Sequence, residues 1–373
     1  MKTQIRKQHT NVVAVQPQTT FPKEDRMKKQ SSTLKLAILV AMVITMTLSA
    51  AAQDEVVGPP TPYQNPLQIA LKEWYPANTS ATVAGLYPGG LTFSNPNYVV
   101  FDGSNIWVSH TVAGGPNRID KLQASDDKGI GSYTVGGTGG SAAYSGAFDG
   151  VNIWAPDHAT GSSNVYRVRA ADGVTTATCN LGSTNQTLMA AAFDGTSVWV
   201  STFNGNVVKF NPNTCAVQCS VAASAGSRIY GLAFDGTNMW ATAYDNNQVI
   251  KLNSSCGGTA ISVPAGPVGI VWDGANLWTA NNGASSISRI TGGALGGTYA
   301  IGYQPSWIAY DGANVWATDA SAGRVSKMST SSPGPNPPSY QTCGSASSHP
   351  EQIAFDGAHM WVACYGTNQL GKI

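Results

Sequence analysis

Seven near-copies of one heptapeptide constrain this chain more than anything else in it. They begin at Phe101 (FDGSNIW), Phe148 (FDGVNIW), Phe193 (FDGTSVW), Phe234 (FDGTNMW), Trp272 (WDGANLW), Tyr310 (YDGANVW) and Phe355 (FDGAHMW). From Asp102 to Asp356 the aspartates follow one another at 47, 45, 41, 38, 38 and 45 residues. A period near 40 marks a unit that buries its apolar face only by stacking on its neighbours, as in propellers and solenoids.

Around each copy the pattern is a hairpin: Tyr230 to Phe234 leads into Asp235-Gly236, and Met239, Trp240 and Ala241 lead out. The aspartate suits the turn because its carboxylate accepts hydrogen bonds from amides two residues on, and the glycine tolerates positive φ. Seven identical acids point to turn formation rather than catalysis. The tryptophan is the packing element, with a gross upper value of about 5 kcal/mol for roughly 200 Å² buried.

Each unit continues with a strand such as Asn247 to Leu252 and a fourth such as Thr259 to Val263. Four short strands per unit, punctuated by Gly, Asn and Pro, describe a propeller blade. The seventh unit stops at Ile373 after its third strand, and Ser80 to Leu86 supplies a matching strand before the first unit. The expected fold is therefore all-β: a seven-bladed β-propeller over 80–373, closed by an N-terminal strand that completes the last blade and removes exposed edges. Gly136 to Gly146 and the proline-rich Ser329 to Ser339 read as loops.

Upstream, Lys28, Lys29 and Lys35 precede a charge-free run from Leu36 to Gln53 that ends in small residues, the pattern of a secretory signal peptide cleaved near Ala52. Residues 1–52 are read as an upstream extension and signal peptide, with Met27 as an alternative start, and 53–79 as an N-terminal linker in which Leu67 to Tyr75 has the pattern of a short helix. A secreted or periplasmic location follows. Residues 1–53 hold eight of the 21 Lys/Arg and two of the 20 Asp/Glu, so the remainder carries −5 where the whole chain carries +1. With no basic patch, nucleic-acid binding has no electrostatic footing.

All six cysteines lie in the exported part, where disulfides persist. Cys215 and Cys219 on one extended strand would be about 13 Å apart, too far to join without a turn. Cys343 with Cys364 is the preferred pair; the remaining connectivity stays open. His349 and His359 make no ligand pattern with them, so no metal is expected, and no motif calls for a cofactor.

The repeats, such as GLAFDGTNMWATAYDNNQVIKL from Gly231 to Leu252, resemble those of exported seven-bladed propellers of the YncE-like and NHL-repeat group. They are more distantly similar to the streptogramin (virginiamycin B) lyases, a family whose resemblance implies metal-assisted elimination by His and Glu on one face. The positions three after each tryptophan are His110, Asp157, Thr202, Ala243, Asn281, Asp319 and Cys364, a mixed set, so no catalytic residue is carried over.

Loops between second and third strands and between blades share one face, and ligands meet loops on a rigid scaffold. Candidate ligand-binding residues there are His110, Asp157, His158, Tyr244, Asn281, Trp307, Asp319 and Tyr365, with Asp245, Asn282, Tyr303 and His349 near them. The expected function is an exported module that binds a peptide, glycan or protein ligand without catalysis. The alternative is a metal-assisted lyase resembling streptogramin lyase, and a third reading is an envelope-associated structural protein.

Overall fold

The structure, a computed structural model, describes residues 85–87, 90–111, 116–138, 145–183, 187–319, 321–344 and 348–373. The signal peptide, the linker with its helical stretch, and 139–144 of the expected loop 136–146 lie outside them, while 136–138 belong to the outer strand of the first blade. Seven four-stranded antiparallel sheets form the blades of a propeller. In the first, Pro96–Phe101, Asn105–His110, Pro116–Gln123 and Gly129–Thr138 run from the central channel outward. The seventh comprises Pro350–Phe355, Met360–Cys364 and Gln369–Lys372, with Gly85–Tyr87 paired on its outer side. Residues 80–84 of the expected closing strand lie outside the described residues. The only helical pieces among the described residues are single 3-10 turns at Asn282–Ala284 and Tyr365–Thr367.

The repeated heptapeptide forms the turn between the two inner strands of every blade. Its glycines all take φ between +92° and +102°, where a side chain would be strained. In the fourth blade Asp235 Oδ1 accepts the amides of Thr237 and Asn238 at 2.8 and 2.6 Å. Its second oxygen does something the spacing did not announce: it accepts the indole N–H of Trp240 at 2.6 Å. The same bond, at 2.6–2.7 Å, recurs in all seven blades. Burial alone would raise the pKa of Asp235, but these donors favour its charged form and hold the carboxyl below the usual range.

Each tryptophan also carries a cation on its ring. Lys121, Arg167, Lys209, Lys251, Arg289, Lys327 and Lys372 lie 4.6–6.0 Å from the ring centroids, each directly across from its tryptophan on the third strand. The Asp–Trp–cation unit lets a nearly fully buried indole keep its polar edge satisfied.

The core lies between blades. Trp199 packs with Ile229, Met239 and Leu252 of the following blade, Trp240 with Ile270, Leu277 and Ile290, and Trp361 of the last blade with Val99, Ile106 and Leu122 of the first. Three disulfides reinforce such boundaries: Cys179–Cys215 joins the second and third blades, Cys219–Cys256 the third and fourth, and Cys343–Cys364 the sixth and seventh. The seventh and first blades add polar contacts to their shared apolar cluster, with Lys372 on Asp127 at 2.6 Å and the Asn95 amide on Asn368 Oδ1 at 2.7 Å.

Candidate ligand site at the channel mouth

Innermost strands would be regular but for one irregularity. In six blades the pairing with the second strand skips near its start, as between Ile229 and Leu232, Pro267 and Ile270, Pro305 and Ile308, and Pro350 and Ile353. A bulge of this kind re-aims side chains and frees backbone groups. The freed amides are met by hydroxyls: Thr242 Oγ1 accepts from Gly231 N at 2.8 Å and Thr318 Oγ1 from Trp307 N at 2.9 Å. Glycine is required at two of these bulges, because a Cβ on Gly231 would lie 2.5 Å from the Val268 carbonyl and one on Gly269 2.8 Å from Trp307 Cα. Neighbouring innermost strands therefore approach closely on this side of the channel.

The bulge residues of the fourth to seventh blades converge. Tyr230, Val268, Ser306, Trp307 and Glu351, with Tyr244 and Asn282 from loops after second strands, line a cavity of about 160 Å³. Tyr230 and Tyr244 meet edge to face at 5.3 Å. Arg228 lies over Tyr244 at 4.5 Å, donates to Tyr230 Oη at 3.3 Å, and is bound to Asp245 by Nε at 3.0 Å and Nη2 at 2.5 Å. That carboxylate holds the Arg228 pKa up, and the guanidinium holds Asp245 down.

Glu351 differs from every other acid in the blades. Among the described residues nothing donates to its carboxylate, and burial pushes its pKa up to about 7. Its side chain still keeps some contact with solvent through the slot, so the shift is discounted when converted to stability. The folded state holds this proton more tightly than the unfolded chain does. Stability therefore declines as pH rises from the ordinary carboxyl range to about 7. Glu351→Gln is expected to raise the unfolding free energy at pH 8 by about 1–2 kcal/mol and to remove that part of the pH slope. Denaturant titrations at pH 5 and 8 measure it.

Of the residues singled out from the sequence, Tyr244 and Trp307 sit in this slot, with Asn282. The others are placed elsewhere or face inward. His110 is buried, 3.1 Å from Asp120 Oδ2, and its Nδ1 accepts the Ser94 amide at 3.2 Å. Asp157 organises its own loop, accepting from Ala159 N, Ser162 Oγ and Tyr166 Oη. His158 is bonded to the Leu188 carbonyl at 2.8 Å, and burial lowers its pKa. Asn281 is fully buried on Ser286 and Ser288, and Asp319 is fully buried on Ser321 and Arg324. Tyr365 is exposed in the 3-10 turn after the last blade's second strand. Burial pushes the Tyr303 hydroxyl up, and it too packs inside.

Tyr230 and Glu351 were missed. A signal existed: both stand four residues before the aromatic that opens the heptapeptide, where the seven copies read Asn97, Tyr144, Met189, Tyr230, Val268, Ser306 and Glu351. Among the described residues, the opposite end of the channel carries no comparable unpaired acid. There a cavity of about 1030 Å³ is walled by the innermost strands, and the aspartates on its rim are committed to indoles and turn amides.

No protein-family model matches the chain, and no curated protein sequence matches it. Among solved structures it is similar to virginiamycin B lyase from Staphylococcus aureus in selenomethionine form, at 19% identity over 76% of this chain and 97% of that one, with a TM-score of 0.63. A catalytically inactive variant of that enzyme with quinupristin matches at 19% identity over 76% and 96%, TM-score 0.63. A streptogramin B lyase matches at 18% over 76% and 94%, TM-score 0.64. The similarity is distant and establishes the seven-bladed fold; the YncE-like and NHL likeness is not among these matches.

Proposed function

We propose that this chain is an exported β-propeller that binds a ligand at the channel mouth, in the slot between Tyr230, Tyr244, Trp307 and Glu351, without catalysis. The observation that carries this reading is the convergence of three aromatic rings on an acid that no described residue satisfies. Rigid, aromatic, concave sites with one or two polar groups are the usual form of a small-molecule or side-chain pocket. Export is supported by the leader pattern and by three disulfides, which persist in oxidising compartments. The ligand would be a peptide, a glycan or a protein segment that inserts one group into the slot.

Calorimetry against peptide and glycan panels tests this. Tyr244→Ala, which opens one wall, is expected to weaken any slot ligand at least about tenfold, the loss of one aromatic contact of roughly 1.4 kcal/mol. Unchanged affinity in that variant would move the site elsewhere.

A second reading, a lyase, is favoured by the structural likeness to the streptogramin lyases. Metal assistance does not fit the described residues, among which no three His, Cys, Asp or Glu side chains converge, so no step is derived through a metal. Reproducible opening of a streptogramin B by protein purified to homogeneity would displace the binding reading.

A further inference from the structure

The slot has a chemical preference as well as a shape. Glu351 presents a carboxyl whose surroundings give it no donor among the described residues, at a place walled by Tyr230, Tyr244 and Trp307. The nearest cation on these elements, Arg228, is already held by Asp245 at both carboxylate oxygens. An incoming positive group would therefore meet an uncommitted acid and π faces at once, two interactions that both favour a cation. An anion would meet an acid and the electron-rich faces of the rings. The volume, about 160 Å³, is below that of pockets for drug-sized molecules and suits one side-chain-sized group.

We propose that the slot takes a primary alkylammonium group, seated on Glu351 and flanked by Tyr230, Tyr244 and Trp307. This deepens the binding function above and rests on it. The group would come either from a free aliphatic diamine or from a lysine side chain of a peptide, which share the chemistry. Burial works for selectivity here: a neutral ligand leaves the carboxyl desolvated and protonated, whereas an ammonium restores its charge.

A pH signature follows. The titratable and charged groups within two residues of the slot lining are Tyr230, Tyr244, Arg228 and Asp245 on the fourth blade and His349 at the entry to Glu351's own strand; the fifth and sixth blades contribute Val268, Asn282, Ser306 and Trp307, which do not titrate, and Asp319, across from Pro305 on the next strand, is bound to Arg324. An alkylammonium stays charged to about pH 10, so between pH 6 and 8 the ligand does not change, and a His349→Ala variant isolates the acid from the histidine beside it. With a pKa of about 7, its ionised fraction rises about tenfold from pH 6 to pH 8.

Calorimetric titration of the exported chain with diaminopentane and with Nα-acetyl-lysine methylamide tests the proposal, with Nα-acetyl-norleucine methylamide as the neutral counterpart and glutarate as the anionic one. At least one amine is expected to bind at pH 8 and to weaken about tenfold at pH 6. In Glu351→Gln the affinity should fall at least tenfold and lose its pH dependence. In His349→Ala both should persist. Binding of the diamine alone identifies a free amine as the ligand; binding of the lysine derivative alone identifies a peptide. Equal binding of the norleucine derivative, weakened by Tyr244→Ala but not by Glu351→Gln, overturns the amine proposal and leaves the slot as a ligand site. No heat from either amine at about 10 mM and pH 8 also overturns it, and the peptide and glycan panels then decide the slot separately.

Discussion

Asp311→Ala is expected to lower the unfolding free energy by about 3–5 kcal/mol. Asp311 is nearly inaccessible, and one carboxylate serves two structures at once. Oδ1 accepts the amides of Ala313 and Asn314 at 2.8 and 2.6 Å, and Oδ2 accepts the Trp316 indole at 2.6 Å. Truncation strips the turn of its internal acceptor and leaves a buried indole N–H unpaired. Lys327, on the face of the same ring, also loses the nearby negative charge that favours its protonated form against burial. Trp316→Phe removes the donor with the acceptor intact, so the double variant Asp311→Ala/Trp316→Phe is expected to fall short of the sum of the singles. Urea titrations of the four proteins measure the coupling. Additive losses would mean that the carboxylate acts through the turn alone.

Replacing both members of Cys219–Cys256 by serine is expected to cost about 4 kcal/mol. The bridge closes 37 residues, and the restriction it places on the unfolded chain has that size in the loop-entropy account. Cys343–Cys364, closing 21, is expected to contribute about 3 kcal/mol. The two bridges differ in position as well as span. Cys219–Cys256 ties an outer strand to a peripheral turn of the next blade, whereas Cys364 lies deep in the cluster that includes Trp307 and Val268, two residues of the slot wall. Loss of the second bridge should therefore weaken ligand binding at the slot, and loss of the first should not. Thermal melts with and without reductant, alongside calorimetry on the two variants, separate stability from binding.

The architecture was legible because the heptapeptide encodes a turn and a packing residue at a fixed spacing, and physics assigns both roles without knowledge of neighbours. Cys343–Cys364, the pair preferred from the sequence, is one of the three bridges; the other two also join adjacent units and stayed open. The Asp–Trp hydrogen bond was written in the same five-residue spacing, but reading it requires knowing that the indole edge turns back toward its own hairpin. The slot was harder. Several residues that reach the channel mouth sit on strand bulges rather than in loops, and a bulge is invisible in a hydrophobic pattern of period 2. His110, Asp157, Asn281 and Asp319 follow the tryptophan at a spacing that reaches the right face, yet each side chain turns inward and engages polar groups of its own blade.

Thirteen lysines and arginines follow residue 53, and the seven that lie on tryptophan faces are all residues of third strands, Lys372 at the end of its own. Arg118 and Arg324 are strand residues too, and Arg169 and Arg228 are clasped by Asp172 and Asp245. A protease that cuts after basic residues needs an accessible segment free of its pairing, which strands inside a sheet do not offer until they open. The packing device that satisfies the indoles thus also hides most cleavage points for such enzymes. A protease of that specificity would cut the folded ring chiefly when a blade detaches.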